Sequence, residues 1–168
     1  MTVKIRQLTP RDDGLMNALL TNFGKAFNDM STYTEKRPSA HYLKRLLGSD
    51  SFIALVALSG EKPDEESDAE VIGGIAAYEL KKFEQERSEI YIYDLAVSAG
   101  HRRKGIATAL IKKLKAIAAD RGAYVIFVQA DTSIEDEPAI ALYTKLGRRE
   151  EVLHFDIPVG SGGDETSQ

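Results

Sequence analysis

Gly100-His101-Arg102-Arg103-Lys104-Gly105-Ile106-Ala107-Thr108 decides the fold, because it joins two segments of different hydrophobic period. Upstream, Glu89–Val97 is rich in Tyr and Ile and reads as a strand. Downstream, from Lys104 to Arg121, the apolar positions Ala107, Leu110, Ile111, Leu114 and Ala118 form a helix face that Gly122 ends. Unpaired amides at a helix start, with cations beside them, suit a phosphate. The small residues Gly105 and Ala107 let a ligand approach the backbone. The spacing Gly100-x-x-x-x-Gly105 approaches a P-loop, but Ile106-Ala107 stand where Lys and Ser/Thr are required, so nothing would grip a terminal phosphate or Mg²⁺. Nor is it GxGxxG. A basic helix cap uses the same residues, and local chemistry leaves both readings open.

Outward from this loop the chain alternates between the two periods. Val3–Leu8 reads as a short strand, and Asp12 and Asp13 are placed to cap a helix with Met16, Leu20, Phe23 and Phe27 on one stripe. A second helix is expected from Ser39 to Leu47, stopping at Gly48. Phe52–Leu58 and Val71–Leu80 read as paired strands around a polar acidic loop, Ser59 to Asp68. Tyr124–Ala130 is a near-continuous apolar strand of the kind covered on both faces. Pro138 suits a first helical position, with Ala139, Leu142, Tyr143 and Leu146 on the next stripe and Gly147 closing it. Glu151–Ile157 is expected as a last strand. The order β-α-α-β-β-β-α-β-α-β implies an α/β or α+β fold: a mixed sheet with helices on its faces, one domain over residues 1–157, and a polar tail at 158–168.

Composition narrows the chemistry. Of 168 residues, 43% are hydrophobic, enough for a core, and none is cysteine. That excludes disulfides, zinc-cysteine sites and thiol nucleophiles. The net charge of −4 argues against a general nucleic-acid binder. The opening residues hold no apolar signal core, and the longest apolar run, Phe52 to Leu58, is too short to span a bilayer, so a cytoplasmic protein off the membrane is expected. His101 and His154 lack metal-ligand partners at useful spacing, and no metal is expected.

Arg102-x-x-Gly105-x-Ala107 after a Tyr/Ile-rich strand resembles the pyrophosphate motif of the GNAT superfamily of acetyltransferases. Asp131 followed by Ala139-x-x-Leu142-Tyr143-x-x-Leu146-Gly147 resembles that superfamily's second cofactor-contacting segment. Phe52-Ile53-Ala54-Leu55, Lys82-Phe83-Glu84-Gln85, Ser88 to Val97, Gly105 to Leu110 and Glu150 to Ile157 are similar to gentamicin-type aminoglycoside 3-N-acetyltransferases, so the likeness covers most of residues 50–157. Two acidic stretches, 59–70 and 131–137, are longer than the pattern.

The resemblance implies acetyl-CoA as cofactor. It would lie along Asp94-Leu95-Ala96-Val97, with its pyrophosphate on Arg102, Arg103, Lys104, Gly105, Ile106, Ala107 and Thr108, and with Asp131 and Tyr143 also at the cofactor. A free amine attacks the thioester directly, so no acyl-enzyme is needed. Asp94 is the candidate base: in strict alternation it shares a face with Ile90 and Ile92, an odd place for a carboxylate unless it is used or is a hydrogen-bonded structural Asp. Tyr143 would protonate the departing thiolate, or is a core aromatic, or both. Glu79, Glu84, Glu89, Asp131, Asp136, Glu137 and Asp156, with Asp94, are candidate anchors for an aminoglycoside or other polycationic amine. A homodimer is implied by the same resemblance. Two other readings stand beside it: acetylation of a protein N-terminus, lysine or polyamine, and a silent acyl-CoA-binding module.

Overall fold

Nearly every side chain of Phe52–Gly60 is buried, and this strand is where the two halves of the core meet. In the computed structural model, which describes residues 2–60 and 69–160, its even and odd positions face different layers. Phe52, Ala54, Val56 and Leu58 pack with Leu15, Met16, Leu19 and Phe23. Ile53, Leu55 and Ala57 alternate with them and are equally buried. A strand covered on both faces reads as a continuous apolar run, as this one does.

Five strands form one mixed sheet in the order β1 (Thr2–Gln7), β2 (Phe52–Gly60), β3 (Glu70–Lys81), β4 (Ser88–Val97) and β5 (Ala123–Val128). The first four are antiparallel to their neighbours, and β5 runs parallel to β4. That parallel pair needs a crossover, supplied by α3 (Ile106–Asp120), whose buried face is Ile106, Leu110, Ile111, Leu114 and Ala118. Helices α1 (Asp13–Ala26) and α2 (Ala40–Leu47) join the cluster on the other face, Leu43 and Leu47 of α2 being buried there. Ser39 caps α2 by accepting the Tyr42 N–H. Gly74 lets α1 settle onto β3: a Cβ there would lie 2.3 Å from the Leu55 carbonyl oxygen and 2.5 Å from Leu19 Cδ1. The chain divides into two compact units, residues 1–129 and 130–168. The second carries α4 (Glu137–Leu146), preceded by a single 3-10 turn at Ile134–Asp136.

Several expectations are corrected. Asp12 sits at the start of α1, but its carboxylate turns back to accept from the Thr9 N–H (2.7 Å), the Thr9 hydroxyl and Arg6 instead of capping the helix. Phe27 is half exposed, on a rim formed by Phe23 and Tyr33. Ser59 and Gly60 extend β2, and the rest of the acidic loop, 61–68, lies outside the described residues, as does 161–168 of the tail. β5 is the outer strand of the sheet and is not covered on both faces: Tyr124 and Val125 are exposed. Glu151–Ile157 forms no strand, because no neighbouring strand among the described residues closes a ladder with it. Among the described residues no helix is long and apolar enough to cross a membrane.

Candidate active site

The last two strands of the sheet separate where the candidate residues begin. β4 pairs with β5 from Ser88↔Ala123 to Ile92↔Val128 and no further. Asp94, Leu95, Ala96 and Val97 keep their β3 partners Ala76, Ile75, Gly74 and Gly73. Peptide groups on the β5 side of this stretch have no strand neighbour among the described residues, so every second N–H and C=O lacks a ladder partner there. An extended ligand with amides of its own can complete such a ladder.

A register shift sits at the same place. Ala76 pairs with Asp94 but Ala77 pairs with Ile92, leaving Tyr93 as an extra, bulged residue. The bulge reverses the side chains beyond it. Ala76 and Tyr78 belong to the α1-side face, and their partners Asp94 and Tyr91 therefore do too. Asp94 thus lies on the face opposite Ile90 and Ile92, which corrects the expectation from strict alternation. Bulges commonly re-aim a side chain beside a functional site.

On that face Asp94 meets Tyr33, whose hydroxyl donates to Asp94 Oδ2 at 2.8 Å. Tyr33 lies in a single π-turn, Ser31–Glu35, after α1. Burial pushes the Asp94 carboxyl above its ordinary value of 3.8, and the Tyr33 hydroxyl works in the opposite direction. Burial, with the Asp94 charge next, drives the Tyr33 phenol far above the ordinary tyrosine range, so it stays a donor. Tyr33 escaped the reading of the sequence because residues 28–38 have no periodicity to place them. The usable signal was Asp94 itself, since a half-buried strand carboxylate requires a donor.

Beyond Val97 the loop is tied to the sheet. Arg102 Nε donates to the Val97 carbonyl oxygen at 3.1 Å, and Asn22 of α1 donates to Ser98 Oγ at 2.7 Å. Arg103 and Gly105 both take left-handed backbone conformations, with φ of +60° and +78°. Gly105 stands at the N-cap of α3 with no side chain to offer, and the first helical bond runs from Ala109 N–H to the Gly105 carbonyl at 3.0 Å. The amides of Ile106, Ala107 and Thr108 precede that bond, at the positive end of a 15-residue helix. Arg102, Arg103 and Lys104 are exposed around them, and a Cβ built on Gly105 would meet no atom within 4 Å. A helix start of this kind, with open space in front of it, suits an anion.

Other candidate acids are already engaged. Glu79 accepts from Ser88 Oγ at 2.7 Å and from Arg121 Nη1 at 2.9 Å. Burial opposes its ionisation, but Ser88 and Arg121 outweigh that and hold the carboxyl below the usual range. Glu84 and Glu89 both pair with Lys82, at 3.3 and 3.4 Å, and Glu89 also accepts from the Tyr124 hydroxyl. In the second unit the Asp136 carboxylate accepts from the Asp131 N–H, and Asp131 accepts from the Ser133 N–H, so both shape the turn before α4. Glu137 opens α4, Tyr143 is half-buried on it, and Asp156 pairs with His154 at 2.9 Å.

A model of the acetyltransferase (GNAT) family matches residues 16–147. An aminoglycoside acetyltransferase from an uncultured soil metagenomic sample is 68% identical, with a TM-score of 0.88 over 95% of this chain and all of that one. A second such enzyme, solved with sisomicin, is 29% identical, with a TM-score of 0.80 over 94% of this chain and 97% of that one. N-acetyltransferase 8B of Rattus norvegicus is 32% identical over 90 residues, 54% of this chain and 40% of its own length. The chain thus spans about two fifths of the length of the curated relatives it matches.

Proposed function

Since the chain belongs to the acetyltransferase (GNAT) family, we propose that it acetylates an amine of an aminoglycoside, the 3-amino group, from acetyl-CoA, and so confers resistance. The observation that carries this reading is Asp94: one carboxylate, re-aimed by a bulge and held by Tyr33, at the point where β4 parts from β5. The aminoglycoside acetyltransferases that match nearly the whole chain support the acceptor.

When bound, acetyl-CoA supplies the activated acetyl group. The chain supplies position and proton handling. The amides of Ile106, Ala107 and Thr108, with Arg102, Arg103 and Lys104 around them, would hold the pyrophosphate without a metal. The outward peptide groups of Asp94–Val97 would pair with the amides of the bound cofactor. Aminoglycoside amines are largely protonated at neutral pH, so the site must accept a proton and tolerate a cation. Asp94 does both. Its carboxylate attracts the ammonium, and its raised affinity for protons fits it to accept one. Tyr143, from the resemblance of its segment, would supply the proton that the departing sulfur needs. Engagement of Glu79, Glu84 and Glu89 by Arg121 and Lys82 leaves Asp94 as the strand carboxylate to which we assign the reacting amine.

Release of free thiol from acetyl-CoA, measured without acceptor and then with gentamicin-class antibiotics, linear polyamines or peptides, tests the proposal. Turnover confined to the antibiotics supports it. Turnover confined to peptides or polyamines replaces the acceptor, and CoA binding without any turnover makes the chain a silent module.

A further inference from the structure

We propose that Tyr33 is a positioning residue: its hydroxyl fixes Asp94 Oδ2, so that the other oxygen takes the amine's proton and the carboxylate stays ionised before the amine arrives. The inference rests on the assignment of Asp94 as base. Three observations carry it beyond that assignment.

The hydrogen bond is long-range, 2.8 Å between groups 61 residues apart, so two separate segments must be placed to make it. The π-turn that delivers Tyr33 is itself built. The Asp29 carboxylate accepts from Thr32 N–H and the Ser31 hydroxyl, and the Asp29 N–H donates to the Gly24 carbonyl. The Tyr33 ring is wedged against Phe23 and Phe27, with centroids 6.0 and 5.7 Å away. Finally, the described groups that act on Asp94 include no cation. Tyr33 faces it from the π-turn, Tyr78 from β3, and Tyr91 and Tyr93 from β4, and no Lys or Arg among the described residues is paired with it. A carboxylate so placed depends on a neutral donor to remain charged, and a hydrogen bond to the charged form is what lowers a raised pKa.

Tyr33→Phe keeps the wedged ring and removes the hydroxyl. We expect the acidic limb of kcat/KM to move to higher pH and kcat/KM at pH 7 to fall about tenfold, the scale of one charge-assisted hydrogen bond. The KM for acetyl-CoA should hardly change, and any loss in melting temperature should appear near neutrality and vanish in acid, where Asp94 is protonated in both proteins. In an Asp94→Asn background the same substitution should cost nothing further, whereas a merely structural tyrosine would cost the same in both. The carboxyl carbon of Asp94, titrated by NMR in the free protein, gives a readout without turnover, and its pKa should rise in Tyr33→Phe. An unchanged titration overturns the inference. So does an equal loss of activity in both backgrounds. If the titration shifts while Asp94→Asn alone keeps full turnover, the role given to Tyr33 falls with the role of Asp94 as base. The pairing itself would then stand.

Discussion

Ala76 and Asp94 lie directly opposite each other on β3 and β4, one step beyond a bulge that leaves Tyr93 without a partner. This pairing puts a carboxylate on the face that carries Phe23 and Tyr33, away from the aliphatic layer under α3. It makes the aim of Asp94 a property of the sheet, and its charge a cost to the fold.

Asp94→Asn tests both consequences. The amide keeps an oxygen for Tyr33 to donate to but cannot take a proton, so kcat/KM toward the amine should fall about 10²–10⁴-fold. Raising the pH should restore part of it. The folded-state pKa of Asp94 lies above the unfolded one, so the folded chain binds the proton more tightly and stability declines as pH rises through that window. The variant escapes this decline. Its melting temperature at pH 7 should equal or exceed that of the parent, and the difference should vanish in acid below the ordinary carboxylate pKa. A less stable variant at pH 7 would mark Asp94 as structural.

Gly105→Leu should lower CoA affinity at least tenfold, by calorimetric titration. The new side chain would stand in the open space before the helix start, at a left-handed φ of +78°. That conformation costs a leucine about 1–2 kcal/mol, a modest loss of stability. Unchanged CoA affinity would move the pyrophosphate elsewhere.

Tyr143→Phe should reduce kcat with little change in the KM for acetyl-CoA, because a proton given to the departing thiolate matters in the transition state. Steady-state kinetics with a fixed antibiotic concentration check it. A parallel rise in KM would make Tyr143 a binding or packing residue.

Glu79→Gln should act on stability. Losing the charge opposite Arg121, and weakening the bond from Ser88, should cost about 1–3 kcal/mol. Glu79 has a depressed folded-state pKa, so its contribution is present above the ordinary glutamate pKa and is lost as pH falls. The deficit in melting temperature should be largest near neutrality and shrink in acid, with acceptor KM unaffected.

The legibility of the chain followed its periodicity. The helix from Ile106 and the buried strand at Phe52 declared themselves because one stripe or one unbroken run leaves no other way to bury those side chains. The loop between Val97 and Ile106 was readable from its glycine, its cations and the resemblance they carry. What escaped were features made by contacts distant in the chain. Tyr93 reads as an ordinary strand residue until β3 is laid beside it, so the face of Asp94 could not be read by counting twos. Tyr33 sits in an aperiodic stretch and gains meaning only through Asp94. Glu79 looked like a free acid because its partner, Arg121, is 42 residues away. The apolar alternation of Leu153, Phe155 and Ile157 resembles a strand, but a strand needs a neighbour as well as a pattern.

The most direct test of the central claim is mass spectrometry of a gentamicin reaction with acetyl-CoA and this protein, with fragment mapping of the product. The account predicts one added acetyl group, on the amine at position 3, formed by the parent and lost in Asp94→Asn. An antibiotic left unmodified, or one acetylated equally well by Asp94→Asn, would contradict it.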